Sequence, residues 1–135
     1  MKDLAEVVED LNVDQIEAFS KNPGEGPVVM MNLLKFKAEG GLASYLRYAI
    51  ESDKYVRSVG GKATFMGKPQ ELLIGHEAWD ALILVRYPSR KAFVDMINNP
   101  GYQEIHKYRA AGLERSVLYA IDEMGPQELL FGESR

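Results

Sequence analysis

Three side chains that could do acid–base chemistry stand at helical spacing near the end of the chain. Tyr102, His106 and Arg109 are separated by four and then three positions, so a helix would place them on one side. His106 could act as a general acid or base, Arg109 could bind an anion, and Tyr102 could donate a hydrogen bond. The same spacing also fits a solvated helix face covered by a tyrosine. The residues alone leave both interpretations open.

Two polar residues within apolar segments are further candidates for a binding site. Asn32 interrupts an apolar run, and a buried amide without partners is costly, so it either pins the sheet or faces a ligand. Arg86 lies near the end of the apolar run of residues 81–87, where a buried charge needs a counter-charge. We expect Arg86 either to form an internal salt bridge, with an acid such as Glu71 or Asp122, or to bind a carboxylate substrate.

Tyr45, Tyr48 and Tyr55 follow one another along a predicted helix, where they could supply donors to a pocket or pack at the edge of the core. Tyr45 is the donor we predict. The segment from His76 to Asp80 begins like a helical zinc motif, but an aspartate stands where the second histidine is needed. We therefore predict a turn that anchors Trp79 in the core, and no metal site.

The composition narrows the class of protein. The 135 residues carry a net charge of −4, contain no cysteine and are 46% hydrophobic, which predicts one globular domain without disulfide or thiolate chemistry. The net charge gives no attraction to nucleic acid or to an anionic membrane surface. The amino-terminal residues lack the basic start and apolar run of a signal peptide, so we expect a cytoplasmic protein. No phosphate loop, dinucleotide fingerprint or nucleophile elbow is present, and no cofactor is predicted.

Periodicity and turn residues divide the chain into helices and strands. Asn12 and Gln15 predict a capping box that begins a short helix, Ser89 is predicted to cap a helix, and Asn99 is predicted to cap another that begins at Pro100. In the helix at residues 42–57, Leu42, Leu46, Ala49 and Ile50 form an apolar stripe beside an edge of Tyr45, Tyr48 and Ser52. The predicted strands are residues 28–37, a bent outer strand at 62–67 that resumes at 72–74, the buried strand at 79–89, and residues 116–121.

The resulting order is strand, helix, strand, strand, helix, strand, which predicts an α+β, ferredoxin-like βαββαβ fold with an antiparallel sheet. We expect a helical extension over residues 1–26, the ferredoxin-like domain over 27–122 and a tail over 123–135, whose apolar residues 129–131 must pack somewhere. Right-handed crossovers place both helices on one face, although both faces of the central strands are apolar. A second copy of the chain is the simplest cover for the other face, so we predict a homodimer.

Several segments resemble the domain of unknown function 1330 family. They are the run from Val28 to Phe36, the Gly60-Gly61 pair, and the run from Leu84 to Ala92 followed by Tyr102. The resemblance covers residues 27–121. It implies membership of the dimeric α+β barrel superfamily, in which two ferredoxin-like sheets pair face to face.

These observations lead to a functional hypothesis. We expect a homodimer that binds a small anionic or aromatic organic molecule between sheet and helices. If it is an enzyme, fold analogy favours cofactor-independent proton transfer, isomerisation or oxygenation. Asn32 and Arg86 would orient the substrate, His106 would be the acid or base, and Tyr45 would be a donor. The alternative is a ligand-binding or structural dimer without catalysis.

Overall fold

Four antiparallel strands form a single sheet, and the order of elements is the predicted one. The computed structural model describes residues 12–22 and 26–132. The sheet order is β2-β3-β1-β4, so the first strand lies in the centre between the third and the fourth. The elements are α1 (Val13–Lys21), β1 (Val28–Phe36), α2 (Gly41–Ser58), β2 (Lys62–Gly67), β3 (Ala81–Tyr87), α3 (Arg90–Ile97), α4 (Pro100–Gly112), β4 (Leu113–Asp122) and α5 (Pro126–Phe131).

Side-chain caps begin two of the helices as predicted. Ser89 Oγ accepts a hydrogen bond from the Ala92 backbone N–H at 3.0 Å, and Asn99 Oδ1 accepts one from that of Gly101 at 2.8 Å. The capping box predicted at Asn12 is wrong, because the Asn12 side chain makes no cap hydrogen bond. Its predicted apolar staple involves Leu11, which lies outside the described residues.

The outer strand β2 is bulged as expected, but it is shorter. The register shifts between Ala63 and Phe65, which is the irregularity predicted for an edge strand. The prediction that the strand resumes is wrong, because residues 72–74 lie in an exposed loop. Pro69, between the two segments, lacks the N–H that a ladder needs.

Helices cover one face of the sheet. Val28 and Leu34 point to that face and are completely buried, and Met30 between them is 4% exposed. We call the other face the open face, and from the strand register its apolar residues are Val29, Met31, Leu33, Phe65, Leu82, Leu84, Val117, Tyr119 and Ile121. None of the described helices is long and apolar enough to cross a membrane.

Helix α2 turns its polar edge inward, contrary to the usual orientation of an amphipathic helix. Leu42, Leu46 and Ile50 are 52%, 51% and 76% exposed. Tyr45 and Ser52 are buried instead, at 7% and 5%. The side of the helix that carries hydroxyl groups therefore faces the sheet, and the apolar stripe faces away from it.

Glycines allow α2 and α4 to touch. A Cβ atom on Gly112 would lie 2.6 Å from the Gly41 carbonyl oxygen and 2.9 Å from the Tyr45 nitrogen. At the other end of the pair, a Cβ atom on Gly101 would collide with the Tyr55 ring. The helices thus pack backbone against backbone at Gly112 and backbone against an aromatic ring at Gly101. Glycine has the small size that both positions require.

The tail leaves its apolar residues uncovered. In α5, Leu129, Leu130 and Phe131 are 72%, 69% and 70% exposed. The expectation that they pack is therefore not met by the described part of this chain, and α5 does not cover the open face.

Candidate functional site

A large cleft lies between the sheet and the helices. Its volume is about 1180 Å³. Its lining includes, from β1, α2, β3, α4 and β4, the residues Met30, Asn32, Tyr45, Tyr48, Ser52, Ile83, Val85, Tyr102, His106, Arg109, Leu118 and Ala120.

Arg109 extends from α4 to the central strand. Its Nη2 atom donates a hydrogen bond to Asn32 Oδ1 at 3.2 Å. The Asn32 amide lies 3.4 Å from the carbonyl oxygens of Met30 and Ile83, so the same side chain also links β1 to β3. One end of Asn32 therefore pins the sheet and the other end orients the guanidinium, whereas contact of Asn32 with a ligand stays a prediction.

The charge of Arg109 is buried without a counter-charge. Arg109 is 7% exposed, and among residues 12–22 and 26–132 no carboxylate lies within ion-pair distance of it. A guanidinium has five N–H donors, and Asn32 is the one hydrogen-bond acceptor that the described residues provide. Because an unpaired buried charge is costly, this arrangement favours an anion in the cleft.

His106 lies one turn before Arg109 and is 4% exposed. Burial, together with the positive charge of Arg109, lowers the pKa of His106 to about 4. The imidazole is therefore neutral near pH 7. Its Nδ1 atom is buried and has no hydrogen-bond partner in the described structure. A neutral ring that faces the cleft can accept a proton or donate a hydrogen bond to a bound molecule.

Phenol groups complete the cleft wall. The Tyr48 and Tyr102 hydroxyl oxygens are 2.7 Å apart, and the two rings meet that of His106 edge-on at centroid distances of 6.2 and 5.8 Å. Burial, and then the neighbouring Tyr48, raise the pKa of Tyr45 to about 12 and that of Tyr102 well above its usual range. Tyr45 and Tyr102 are thus protonated donors at neutral pH.

The structure brings five of the six predicted site residues together. Tyr102, His106, Arg109, Asn32 and Tyr45 all line the cleft, whereas Arg86 does not.

Arg86 lies on the open face, beside a different partner from those predicted. Its Nε atom pairs with Glu123 at 2.7 Å rather than with Glu71 or Asp122, and its side chain is 48% exposed. Asp122 pairs with Arg90 instead. The correction follows from alternation, because residue 86 on β3 shares the face of Leu82 and Leu84, which the helices leave uncovered.

Tyr48, one of three tyrosines named as possible donors to a pocket, also lines the cleft, and so does Ser52, which was not predicted as a site residue. The signal was available, since Tyr45, Tyr48 and Ser52 share one edge of α2 at spacings of three and four.

Trp79 is only partly buried, and the Arg115 guanidinium lies 4.5 Å from its ring centre. In the part of the chain that the structure describes, no group of three acidic or histidine side chains could hold a metal ion.

Comparison with solved structures places this architecture among known proteins. The chain is 32% identical to the RPA0582 protein of unknown function from Rhodopseudomonas palustris, with a TM-score of 0.81 over 88% of this chain and 98% of that one. A dimeric ferredoxin-like protein of unknown function from Jannaschia sp. is 13% identical, with a TM-score of 0.60 over 73% of this chain and 100% of that one. The hydroxynitrile lyase of Passiflora edulis is 14% identical, with a TM-score of 0.57 over 76% and 100%.

The fold is therefore the ferredoxin-like fold. Within that class, the chain belongs to the family described as Domain of unknown function (DUF1330), whose model matches residues 40–123. The Gly60-Gly61 pair, the run from Leu84 to Ala92 and Tyr102 lie inside this match, and the run from Val28 to Phe36 precedes it. A search of curated proteins finds no match to this chain.

Proposed function

We propose that this protein is a homodimer that binds a small organic carboxylate with an apolar or aromatic body in the cleft. The buried guanidinium of Arg109, which has no carboxylate partner among the described residues, is the observation that supports the proposal most strongly. A guanidinium and a carboxylate match in geometry and charge, so an acid of this kind would supply the missing anion.

The cleft walls favour an apolar body on that acid. Ile83, Val85, Leu118 and Ala120 line the sheet side, and the tyrosine rings line the helix side. Leu118 is 48% exposed although it lies on the helix-covered face, which means that the space next to it is open. Aromatic and aliphatic groups gain most from covering such a surface.

Catalysis by proton transfer is the second part of the proposal. A neutral His106 beside Tyr48 and Tyr102 would accept a proton from the carbon next to the bound carboxylate. The electron pair of the broken C–H bond would pass into the carboxylate on Arg109, and Tyr45 would donate a hydrogen bond to the bound molecule. An anion on Arg109 would offset the positive charge that lowers the pKa of His106. Binding would therefore raise that pKa and make the imidazole a stronger base than it is in the empty cleft.

The homodimer rests on the open face. Its nine apolar residues form a contiguous layer over four strands, and solvent-exposed layers of that kind mark interaction surfaces. A second copy, related by a two-fold axis, would present the same residues in return.

Binding is tested by calorimetry and thermal shift with benzoate and phenylacetate, and with benzamide as the neutral match for benzoate. We expect both acids to raise the melting temperature with concentration and benzamide to have no effect. Arg109→Gln should abolish the shift, whereas Arg47→Gln, which removes an exposed cation paired with Glu51, should retain it. No shift with either acid, or an unchanged shift in Arg109→Gln, would contradict the proposal.

Proton transfer is tested by incubating the protein with phenylacetate in D₂O and following its methylene hydrogens by NMR. Exchange that depends on His106 supports catalysis. If phenylacetate binds through Arg109 but keeps its methylene hydrogens, the protein binds the acid and does not catalyse this proton transfer.

A further inference from the structure

We infer that helix α5 packs on the second subunit of the homodimer and extends the interface beyond the sheet. This inference rests on the homodimer proposed above, and it concerns a segment that follows the family match at residues 40–123. Three independent features of the tail support it.

The first feature is that α5 is a formed helix without a packing surface. It contains six residues, Pro126 is at its first turn, Glu128 Oε1 accepts a hydrogen bond from the Gly125 N–H at 3.5 Å, and Gly132 closes it in the left-handed conformation. Isolated helices shorter than about 12 residues are marginal in water. Packing must therefore stabilise α5, and the apolar residues that would pack, 129–131, are about 70% exposed in this chain.

The second feature is the place where the tail leaves the sheet. Glu123, the first residue after β4, pairs with Arg86 on the open face at 2.7 Å. Met124, the next residue, is 59% exposed. The tail thus starts at the margin of the surface that the second copy would cover, and its exposed apolar residues continue that surface.

The third feature is charge. The tail adds Glu128, whereas Glu123 is already paired with Arg86. Of the cations at the margin of the open face, Lys35 and Arg115 are paired with Asp80 and Glu77. Lys62 is exposed and has no ion pair among the described residues. A second copy therefore offers the tail an unpaired cation, Lys62, at the margin of the sheet interface, and α5 with Glu128 is complementary to that margin.

Cross-linking distinguishes packing within one chain from packing across the dimer. The full chain, with benzoylphenylalanine in place of Phe131, is mixed with an untagged copy, illuminated and resolved by mass. We expect products that join two chains. If the unmodified protein sediments as a dimer but the cross-links stay within one chain, the inference fails while the dimer stands.

Sedimentation equilibrium gives the energetic test. The double variant Leu130→Glu and Phe131→Glu should weaken dimerisation at least about 10-fold, since burying such a side chain is worth about 1.5–3 kcal/mol. Leu73→Glu, at an exposed loop position, is the matched control and should leave dimerisation unchanged. Equal dimerisation by the double variant and the unmodified chain would overturn the inference. A monomeric unmodified protein would overturn the homodimer as well.

Discussion

Arg109 on α4 donates a hydrogen bond to Asn32 in the middle of β1 over 3.2 Å. The contact joins the last long helix to the central strand, and it fixes a guanidinium over the cleft. Since the described residues offer Arg109 no carboxylate, we expect its charge to reduce stability, and the proposed anionic ligand would supply the counter-charge.

The first prediction follows from this cost. Arg109→Met keeps the bulk of the side chain and removes the charge, so the free energy of unfolding should stay equal or rise by about 1 kcal/mol. Urea denaturation at neutral pH measures it, and Arg109→Lys, which keeps the charge, should give no such gain. A loss of more than about 2 kcal/mol in Arg109→Met would mean that the charge has an acidic partner.

The second prediction concerns His106 and pH. Its pKa is about 4 in the folded protein, against 6.5 for an unperturbed histidine, so the unfolded chain binds more protons between these values. Folding stability from this group is complete above pH 6.5 and is lost as the pH falls towards 4. The loss amounts to roughly 3 kcal/mol.

His106→Gln is the control for that pH dependence, because carboxylates also titrate in this range. The difference in unfolding free energy between the two proteins should change by roughly 3 kcal/mol between pH 7.5 and pH 4. Parallel stability curves over that interval would show that His106 is not buried as a neutral ring.

The third prediction tests the orientation of α2. Leu46→Gln changes a half-exposed side chain and should cost about 0.5 kcal/mol, whereas Tyr45→Ala should cost about 3 kcal/mol because Tyr45 is 7% exposed. Chemical denaturation of both variants gives the comparison. The reverse order would mean that the leucine stripe packs on the sheet.

The fourth prediction tests the contact between α2 and α4. Gly112→Ala puts a methyl group 2.6 Å from the Gly41 carbonyl oxygen, and it should cost about 2 kcal/mol. Gly26→Ala is a suitable control, because nothing lies within 4 Å of the new methyl group and its positive φ costs only about 1 kcal/mol. If both variants melt alike, the close contact at residue 112 would not be the source of the loss, since Gly112 has no positive φ.

The fifth prediction tests the open face. Leu84→Glu places a carboxylate in the middle of that apolar layer and should convert the dimer to a folded monomer. Sedimentation reports the mass, and far-ultraviolet circular dichroism reports the fold. Leu46→Glu on the outer side of α2 should leave the dimer intact, and a dimeric Leu84→Glu would exclude this face as the interface.

Much of the fold could be predicted because its signals are local. Ser89 and Asn99 cap helices, glycine pairs mark turns, and apolar runs mark the central strands, so each element could be assigned from adjacent residues. The extent of β2 could not, because residues 72–74 are apolar enough for a strand but follow a proline that interrupts the ladder. Whether the chain divides at residues 26 and 122 stays a prediction.

The site could be predicted only in part. Tyr102, His106 and Arg109 share a helix face, and spacing alone brought them together. Gly41, Gly101 and Gly112 set how closely α2 and α4 approach, and helix periodicity reveals neither these contacts nor the inward rotation of α2. The same limit applies to Arg86. The face of the sheet on which it lies was predicted correctly, but its ion pair with Glu123 depends on the path of the chain after β4.

The glycine contacts at both ends of α2 and α4 position the helices, while other residues line the cleft. The helices are positioned by backbone at Gly41 and Gly112 and by Tyr55 against Gly101, and none of these glycines supplies a side chain to the cleft between them. Residues such as Ser52 or Leu118 could therefore be exchanged to change the shape of the cavity while the framework around it keeps its geometry. If the proposed ligand binds in the cleft, its selectivity could be altered one lining position at a time.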